Sequence, residues 1–121
     1  MYNIGIIGAG KVGVSLGRYL SGLEYTNLVG YYSRSLDSSA YAAKVTNSGK
    51  FTNIEKLVEK SNVILITTPD DKISQVWSKI SKFSIQNKIV CHCSGSLSSE
   101  IFFDISSKGA SGCSMHPILA I

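Results

Sequence analysis

The chain predicts an α/β protein built on an open, doubly wound parallel sheet of about six strands, three layers deep with helices on both faces. Three observations predict it. Short and nearly continuous apolar runs recur along the chain, as strands buried on both faces require. Segments of helical periodicity separate these runs. The first run passes directly into G-x-G-x-x-G, formed by Gly8, Gly10 and Gly13, which turns a strand tightly into a helix.

The elements follow in order. "YNIGIIG" (Tyr2 to Gly8) reads as a buried strand, and "KVGVSLGRYLSG" places Val12, Leu16, Tyr19 and Leu20 near one helical stripe that stops at Gly22. "NLVGYYS" is a second strand, "SLDSSAYAAKVTN" a helix, "KFT" a short strand and "NIEKLVEKS" a helix. "NVILITT" (Asn62 to Thr68) is β-branched and apolar, as suits the middle of a sheet. Pro69 ends it, and Asp70 or Asp71 is placed to cap a helix through "KISQVWSKIS". "KIVCHC" is the fifth strand, "LSSEIFFDISSK" a helix broken at Gly109, and "ASGCSMH" the last strand. The two halves meet near Asn62 and form one domain over 1–121, with no internal repeat or linker.

Composition narrows the function. The 121 residues carry a net charge of +4, 44% hydrophobic and 17% charged side chains, which is ordinary for one packed domain. The twelve Lys and Arg form no basic run and no pattern interleaved with aromatics, so nucleic-acid binding is not expected. No apolar run reaches bilayer length and no basic leader precedes the first strand, so a cytoplasmic protein without a membrane partner is expected. Three cysteines, Cys91, Cys93 and Cys113, are odd in number, and the first two stand too close on one strand to bridge each other; reduced thiols are the expectation.

The glycine loop has a physical reading at each position. Gly8 permits the turn, Gly10 lets the backbone approach a pyrophosphate, and Gly13 lets the helix pack on the strand. With Ala9, Lys11 and Val12 between and after them, the loop offers free amides and a positive helix end to an anion. At the end of the second strand, where an Asp or Glu would hold a ribose 2′-hydroxyl, stand Ser33, Arg34 and Ser35. A guanidinium between two hydroxyls suits a 2′-phosphate, which favours NADP over NAD as cofactor. A solvated loop arginine is the plainer alternative.

The later strand ends face the same edge. Thr67, Thr68 and Pro69 are expected along the nicotinamide ribose, with Asp70 and Asp71 capping a helix rather than serving as acids. Ser94 and Gly95 are expected against the nicotinamide, and Ser94, Ser96 and His116 are the catalytic candidates, His116 polarising or deprotonating a hydroxyl. Cys91, His92, Cys93, Cys113 and His116 raise a metal site, but C-x-C on a strand sends both sulfurs to one face and His92 to the other, so no metal is expected.

Taken together, "GIIGAGKVGVSLGRYL", "YYSRS", "VILITTPDDKI", "VCHCSGSLSSEIF" and "SMHPILAI" resemble the Rossmann-like N-terminal domain of NADP-dependent oxidoreductases. That group is akin to pyrroline-5-carboxylate reductase, F420-dependent NADP reductase and the 6-phosphogluconate dehydrogenase-like superfamily, and its H-P motif is similar to that of prephenate dehydrogenases. The resemblance implies that the "HCSGSL" and "HPILA" motifs lie at the cofactor and substrate face, with Ser94 or Ser96 and His116 touching the reacting hydroxyl. It also implies a helical substrate and dimerisation domain, which this chain is expected to lack because it stops at Ile121.

The expected function is that of an NADP-binding domain in an oxidoreductase moving a hydride between the cofactor and a small carbonyl, imine or hydroxyl substrate. Two other readings stand beside it. One is a dinucleotide-binding or regulatory module without turnover, or one chain of a split enzyme whose substrate domain is a separate chain. The other is an interaction protein that docks through "PILAI" on a partner or forms a homodimer.

Overall fold

A computed structural model describes residues 1–115, and in it strands and helices alternate along the chain. The elements are β1 (Tyr2–Ile7), α1 (Lys11–Ser21), β2 (Thr26–Tyr32), α2 (Leu36–Thr46), β3 (Gly49–Phe51), α3 (Ile54–Lys60), β4 (Val63–Ile66), α4 (Asp70–Ile80), β5 (Ile89–His92) and β6 (Ser111–Ser114). The six strands form one sheet in the order β3-β2-β1-β4-β5-β6, and every neighbouring pair is parallel. The predicted doubly wound α/β architecture is therefore the observed one. The order reverses between β1 and β4, which opens a crevice at their carboxyl ends.

Strand alternation decides which helices cover which face. Ile4 and Ile6 of β1, Tyr31 of β2 and Leu65 of β4 pack with Leu16 of α1 and Ala42 of α2. Ile7, Ile64 and Ile66 turn the other way and pack with Ile54, Leu57 and Val58 of α3 and Ile73, Trp77 and Ile80 of α4. Burying each large aliphatic side chain contributes about 1.5–3 kcal/mol, so these two faces hold the layers together. Tyr31 is fully buried and donates its hydroxyl to the Gly13 carbonyl at 2.8 Å, joining β2 to the first turn of α1.

Three expectations are corrected. The segment from Leu97 to Lys108 is not one helix but two short 3₁₀ turns, Ser99–Ile101 and Ser106–Lys108. Its apolar spacing suits a helix, yet Phe102 leaves helical geometry (φ −83°, ψ 65°) and Asp104 is left-handed (φ 65°). That break lets Phe102 drop edge-on against Trp77, with ring centroids 5.4 Å apart, while the Trp77 indole N–H donates to the Phe103 carbonyl at 3.1 Å. Gly109 ends the segment in a left-handed conformation, as expected.

Neither Asp70 nor Asp71 caps α4: the cap position is Pro69, without a side-chain bond, because the helix starts at Asp70 itself. Both carboxylates instead sit in the first turn, where the helix dipole favours them. Finally, the cysteines are not all free. Cys91 and Cys113 are directly paired across β5 and β6, with Cα atoms 4.5 Å apart, and form a disulfide; Cys93 remains a thiol.

Candidate functional site

At the carboxyl edge of β1, β2 and β4 lies a cleft of about 680 Å³, within the range of small-molecule sites. The glycine loop forms its floor. Gly8 has φ +113°, a conformation that favours glycine, and a Cβ there would lie 2.7 Å from the Thr67 hydroxyl. At Gly13 a Cβ would stand 2.4 Å from the Gly8 carbonyl oxygen, so this glycine lets α1 pack onto the turn and does not line the cleft. Thr67 donates its hydroxyl to the carbonyls of Gly8 (3.0 Å) and Ile7 (3.4 Å), fastening β4 to the loop.

Gly10 is different from both. Its backbone is ordinary (φ −84°, ψ −163°), and a Cβ built on it meets nothing within 4 Å. Nothing in the protein's own packing calls for glycine there. Gly10 lines the cleft and is the N-cap of α1 without any side-chain cap, so the first-turn amides are open toward that empty space. A second feature points the same way: the Thr68 hydroxyl is buried at the cleft with no hydrogen-bond partner among the described residues.

Around this floor stand Lys11, Arg34, Lys72 and Lys79, and Asp70 is the one carboxylate among the described lining residues. Such a ring favours a polyanion. Arg34 is exposed and has no ion pair or hydrogen bond among the described residues. Its neighbours are already engaged: the Ser33 hydroxyl donates to the Ser35 carbonyl at 2.6 Å, and the Ser35 hydroxyl caps α2 by accepting from the Ser38 amide at 3.2 Å. Ala9, Val12 and Pro69 also line the cleft.

The sequence reading missed the side wall. Lys72, Gln75, Val76 and Lys79 present one face of α4 to the cleft, and their i, i+3, i+4, i+7 spacing was the available signal. That spacing identifies a helix face but not the neighbour it looks upon.

Beyond β5 the hydroxyls form a chain rather than a set of free groups. The fully buried His92 accepts the Ser94 amide on Nδ1 (3.1 Å), which leaves Nε2 to donate to the Ser98 carbonyl (2.8 Å). Ser94 Oγ accepts from the amides of Ser96 and Leu97, each at 3.1 Å, and Ser96 Oγ donates to Asp70 Oδ2 at 2.9 Å. Ser94, Gly95 and Ser96 therefore shape the loop beside the cleft and are not among its lining residues, whereas Cys93 is. Burial pushes the Cys93 thiol up to about 11. His116 lies outside the described residues, so its convergence with the serines has no structural description. Cys91 and Cys93 share one face and His92 the other, as C-x-C on a strand requires, and no cluster of three metal-ligating side chains occurs among the described residues. Among those residues, too, no helix is long and apolar enough to cross a membrane.

A parallel sheet wound in this order, with a glycine turn at its switch point, defines a domain of the dinucleotide-binding class. The chain belongs to the Rossmann-like domain family, whose model matches residues 1–117. Solved structures share the fold. One, assigned as an NADPH-dependent oxidoreductase of Desulfitobacterium hafniense, superposes with a TM-score of 0.80 at 22% identity, over 95% of this chain and 34% of that one. The 3-hydroxyisobutyrate dehydrogenase of Mycobacterium tuberculosis gives 0.73 at 16% identity, over 94% and 40%. The UDP-N-acetylglucosamine 3-dehydrogenase of Acidithiobacillus ferrooxidans gives 0.73 at 14%, over 92% and 37%. The chain thus spans about a third to two fifths of the length of these structures. A search of curated proteins finds no match.

Proposed function

We propose that the chain is the NADP-binding domain of a cytoplasmic oxidoreductase. The observation that carries this reading is Gly10, a glycine with ordinary dihedrals and empty space where its side chain would be, at the uncapped start of α1. A group from outside the protein gives that absence a purpose, and a pyrophosphate bound by the first-turn amides is such a group. Lys11 faces the same phosphates. Arg34, with Lys72 and Lys79 on the opposite wall, suits the additional phosphate that separates NADP from NAD. Thr68 then supplies its hydroxyl, unpartnered among the described residues, toward the nicotinamide half.

The nicotinamide, when bound, supplies hydride transfer to or from a small carbonyl, imine or hydroxyl compound. The residues of this chain bind and orient it. Substrate-side groups come from His116, which follows β6 and is read as the proton-handling residue, and from a further domain or a second chain, as in a homodimer. One observation favours a second reading, a binding module without turnover: the hydroxyls of Ser94 and Ser96 already hold partners within the protein.

Calorimetric titration of the chain with NADPH and NADH tests the proposal. NADPH binding at least tenfold tighter than NADH is expected, and Arg34→Ala should weaken NADPH by roughly 10- to 100-fold through loss of charge-assisted bonds worth about 1.5–3 kcal/mol. Equal losses for both dinucleotides would remove Arg34 from the 2′-phosphate site, and no binding of either would sink the reading.

A further inference from the structure

We propose that the Cys91–Cys113 pair is a reversible redox latch that fastens the edge strand β6 to β5 and thereby sets the shape of the loop from Ser94 to Leu97. The effect on ligand binding rests on the cofactor reading above; the latch itself does not.

β6 is a weak strand by every local measure. Its sequence, Ser-Gly-Cys-Ser, has no β-branched or aromatic residue, it pairs on one side only among the described residues, and none of its residues is buried. By contrast, three of the four residues of β5 are buried. Cys113 stands directly opposite Cys91 in the parallel register, with a Cα separation of 4.5 Å that a disulfide accommodates. The bond thus joins a weak edge strand to one that is fixed in the core. It closes a stretch with a sequence separation of 22, including the two 3₁₀ turns and the loop beside the cleft.

Three contacts hold the end of β6 in place, and one of them, from Ser114 to Leu97, reaches that loop. The Met115 amide donates to the His92 carbonyl at 2.8 Å, the Ser114 hydroxyl donates to the Leu97 carbonyl at 3.3 Å, and Gly112 packs under Phe102, leaving no room for a Cβ. His92 and Ser94 in turn hold the loop from inside, through the Ser98 carbonyl and the amides of Ser96 and Leu97. Freeing β6 removes the bond from the Ser114 hydroxyl to the Leu97 carbonyl and leaves the loop to its inner bonds. The third sulfur does not interfere: Cys93 is half-buried against the same cluster, and desolvation raises its thiol, which makes it a poor nucleophile toward the bridge.

The chemistry balances with a low-molecular-weight disulfide as oxidant. One protein thiolate attacks it, forming a mixed disulfide and expelling one thiolate; the second protein thiolate attacks the mixed disulfide and expels the other. Two protein thiols are oxidised, one disulfide is reduced to two thiols, and the two protons pass to them. A dithiol reverses the reaction.

The test uses the full chain equilibrated with oxidised glutathione or with dithiothreitol. Alkylation in denaturant followed by peptide mass mapping should label only Cys93 in the first case and all three cysteines in the second. Hydrogen exchange of the Met115, Ser96 and Leu97 amides should be at least tenfold faster in the reduced chain, with β1 and β4 unchanged. The double variant Cys91→Ser, Cys113→Ser should behave like the reduced chain under both conditions; should it fail to fold, the reduced wild type carries the comparison. NADPH should bind several-fold more tightly to the oxidised chain, while adenosine 2′,5′-bisphosphate, which lacks the nicotinamide half, binds both forms alike. Three labelled thiols in oxidised glutathione, or equal exchange in the two states, would overturn the latch. Redox-dependent exchange without NADPH binding in either state would uphold the latch and overturn the cofactor reading.

Discussion

Replacing Gly10 by alanine separates a glycine kept for the fold from one kept for a ligand. The dihedrals at Gly10 are open to any L residue and, beyond its chain neighbours, a Cβ would meet no atom of the described residues within 4 Å, so Gly10→Ala introduces neither strain nor a clash. Removing a glycine also restricts the unfolded chain, which by itself stabilises by about 0.4–1 kcal/mol. Against this, alanine is a poorer N-cap than glycine, so the two effects oppose each other and the thermal midpoint of the variant should stay close to that of the wild type. Binding, by contrast, should fall. The new methyl group occupies the space beside the first amides of α1, and a pyrophosphate held off by it loses at least one charge-assisted hydrogen bond. Such bonds contribute about 1.5–3 kcal/mol, which corresponds to roughly a 10- to 100-fold rise in Kd for NADPH.

Gly13→Ala is the control. Its Cβ would lie 2.4 Å from the Gly8 carbonyl oxygen, an overlap relieved only if α1 moves away from the loop. Forced overpacking of this kind costs typically 1–3 kcal/mol, so this variant should lose stability first and binding as a consequence. Calorimetric titration together with thermal unfolding reads both quantities. If Gly10→Ala bound NADPH as tightly as the wild type while remaining folded, the empty space at Gly10 would not be the phosphate site and the reasoning would fail.

Two further perturbations follow. Thr68→Val replaces the unpartnered buried hydroxyl with a methyl group of similar size; the variant should be more stable by about 1 kcal/mol without ligand and should bind NADPH more weakly, and a loss of stability in chemical denaturation would show that the hydroxyl has a partner within the protein. Burial pushes the Tyr31 hydroxyl from 10.0 up to about 12, so the folded state favours the protonated form; this contribution is fully present below pH 10 and is lost as pH rises toward 12. Tyr31→Phe should cost about 1 kcal/mol at neutral pH and flatten that alkaline loss, as measured by denaturation across the pH range, and an unchanged alkaline slope would refute the assignment.

How legible the molecule was depends on whether each feature is set locally. The order of strands and helices could be read because each apolar run carries its own period, and the glycine loop because Gly8 takes a positive φ and Gly13 answers to the Gly8 carbonyl of the same turn. Across the sheet the sequence was silent. Lys72 and Lys79 were visible as one helix face, but only the placement of α4 opposite the β2 end makes them a wall of the cleft. The Cys91–Cys113 pair depends on β6 lying next to β5 in a particular register, a tertiary property absent from the spacing of the residues. The segment from Leu97 to Lys108 failed for a related reason: its apolar positions fit a helix, and burying Phe102 against Trp77 outweighed that local preference.

The hydroxyls carry the last step. Thr67, Ser35, Ser94 and Ser96 were all expected at a ligand, and each is found holding the protein's own backbone or side chains: Thr67 the glycine turn, Ser35 the start of α2, Ser94 the loop amides, Ser96 the Asp70 carboxylate. A short polar side chain at a strand end satisfies the backbone donors and acceptors that every turn leaves unpaired, so such positions are filled with serine and threonine whether or not a ligand is near. What distinguishes a ligand position is the opposite condition, a group that the protein leaves without a use. By that criterion, taken over the described residues, Gly10, Thr68 and Arg34 stand at the cleft, on the loops that follow three different strands, β1, β4 and β2. One extended anion reaching from the switch point to the β2 edge accounts for all three together, whereas a small anion at the glycine loop accounts only for the first.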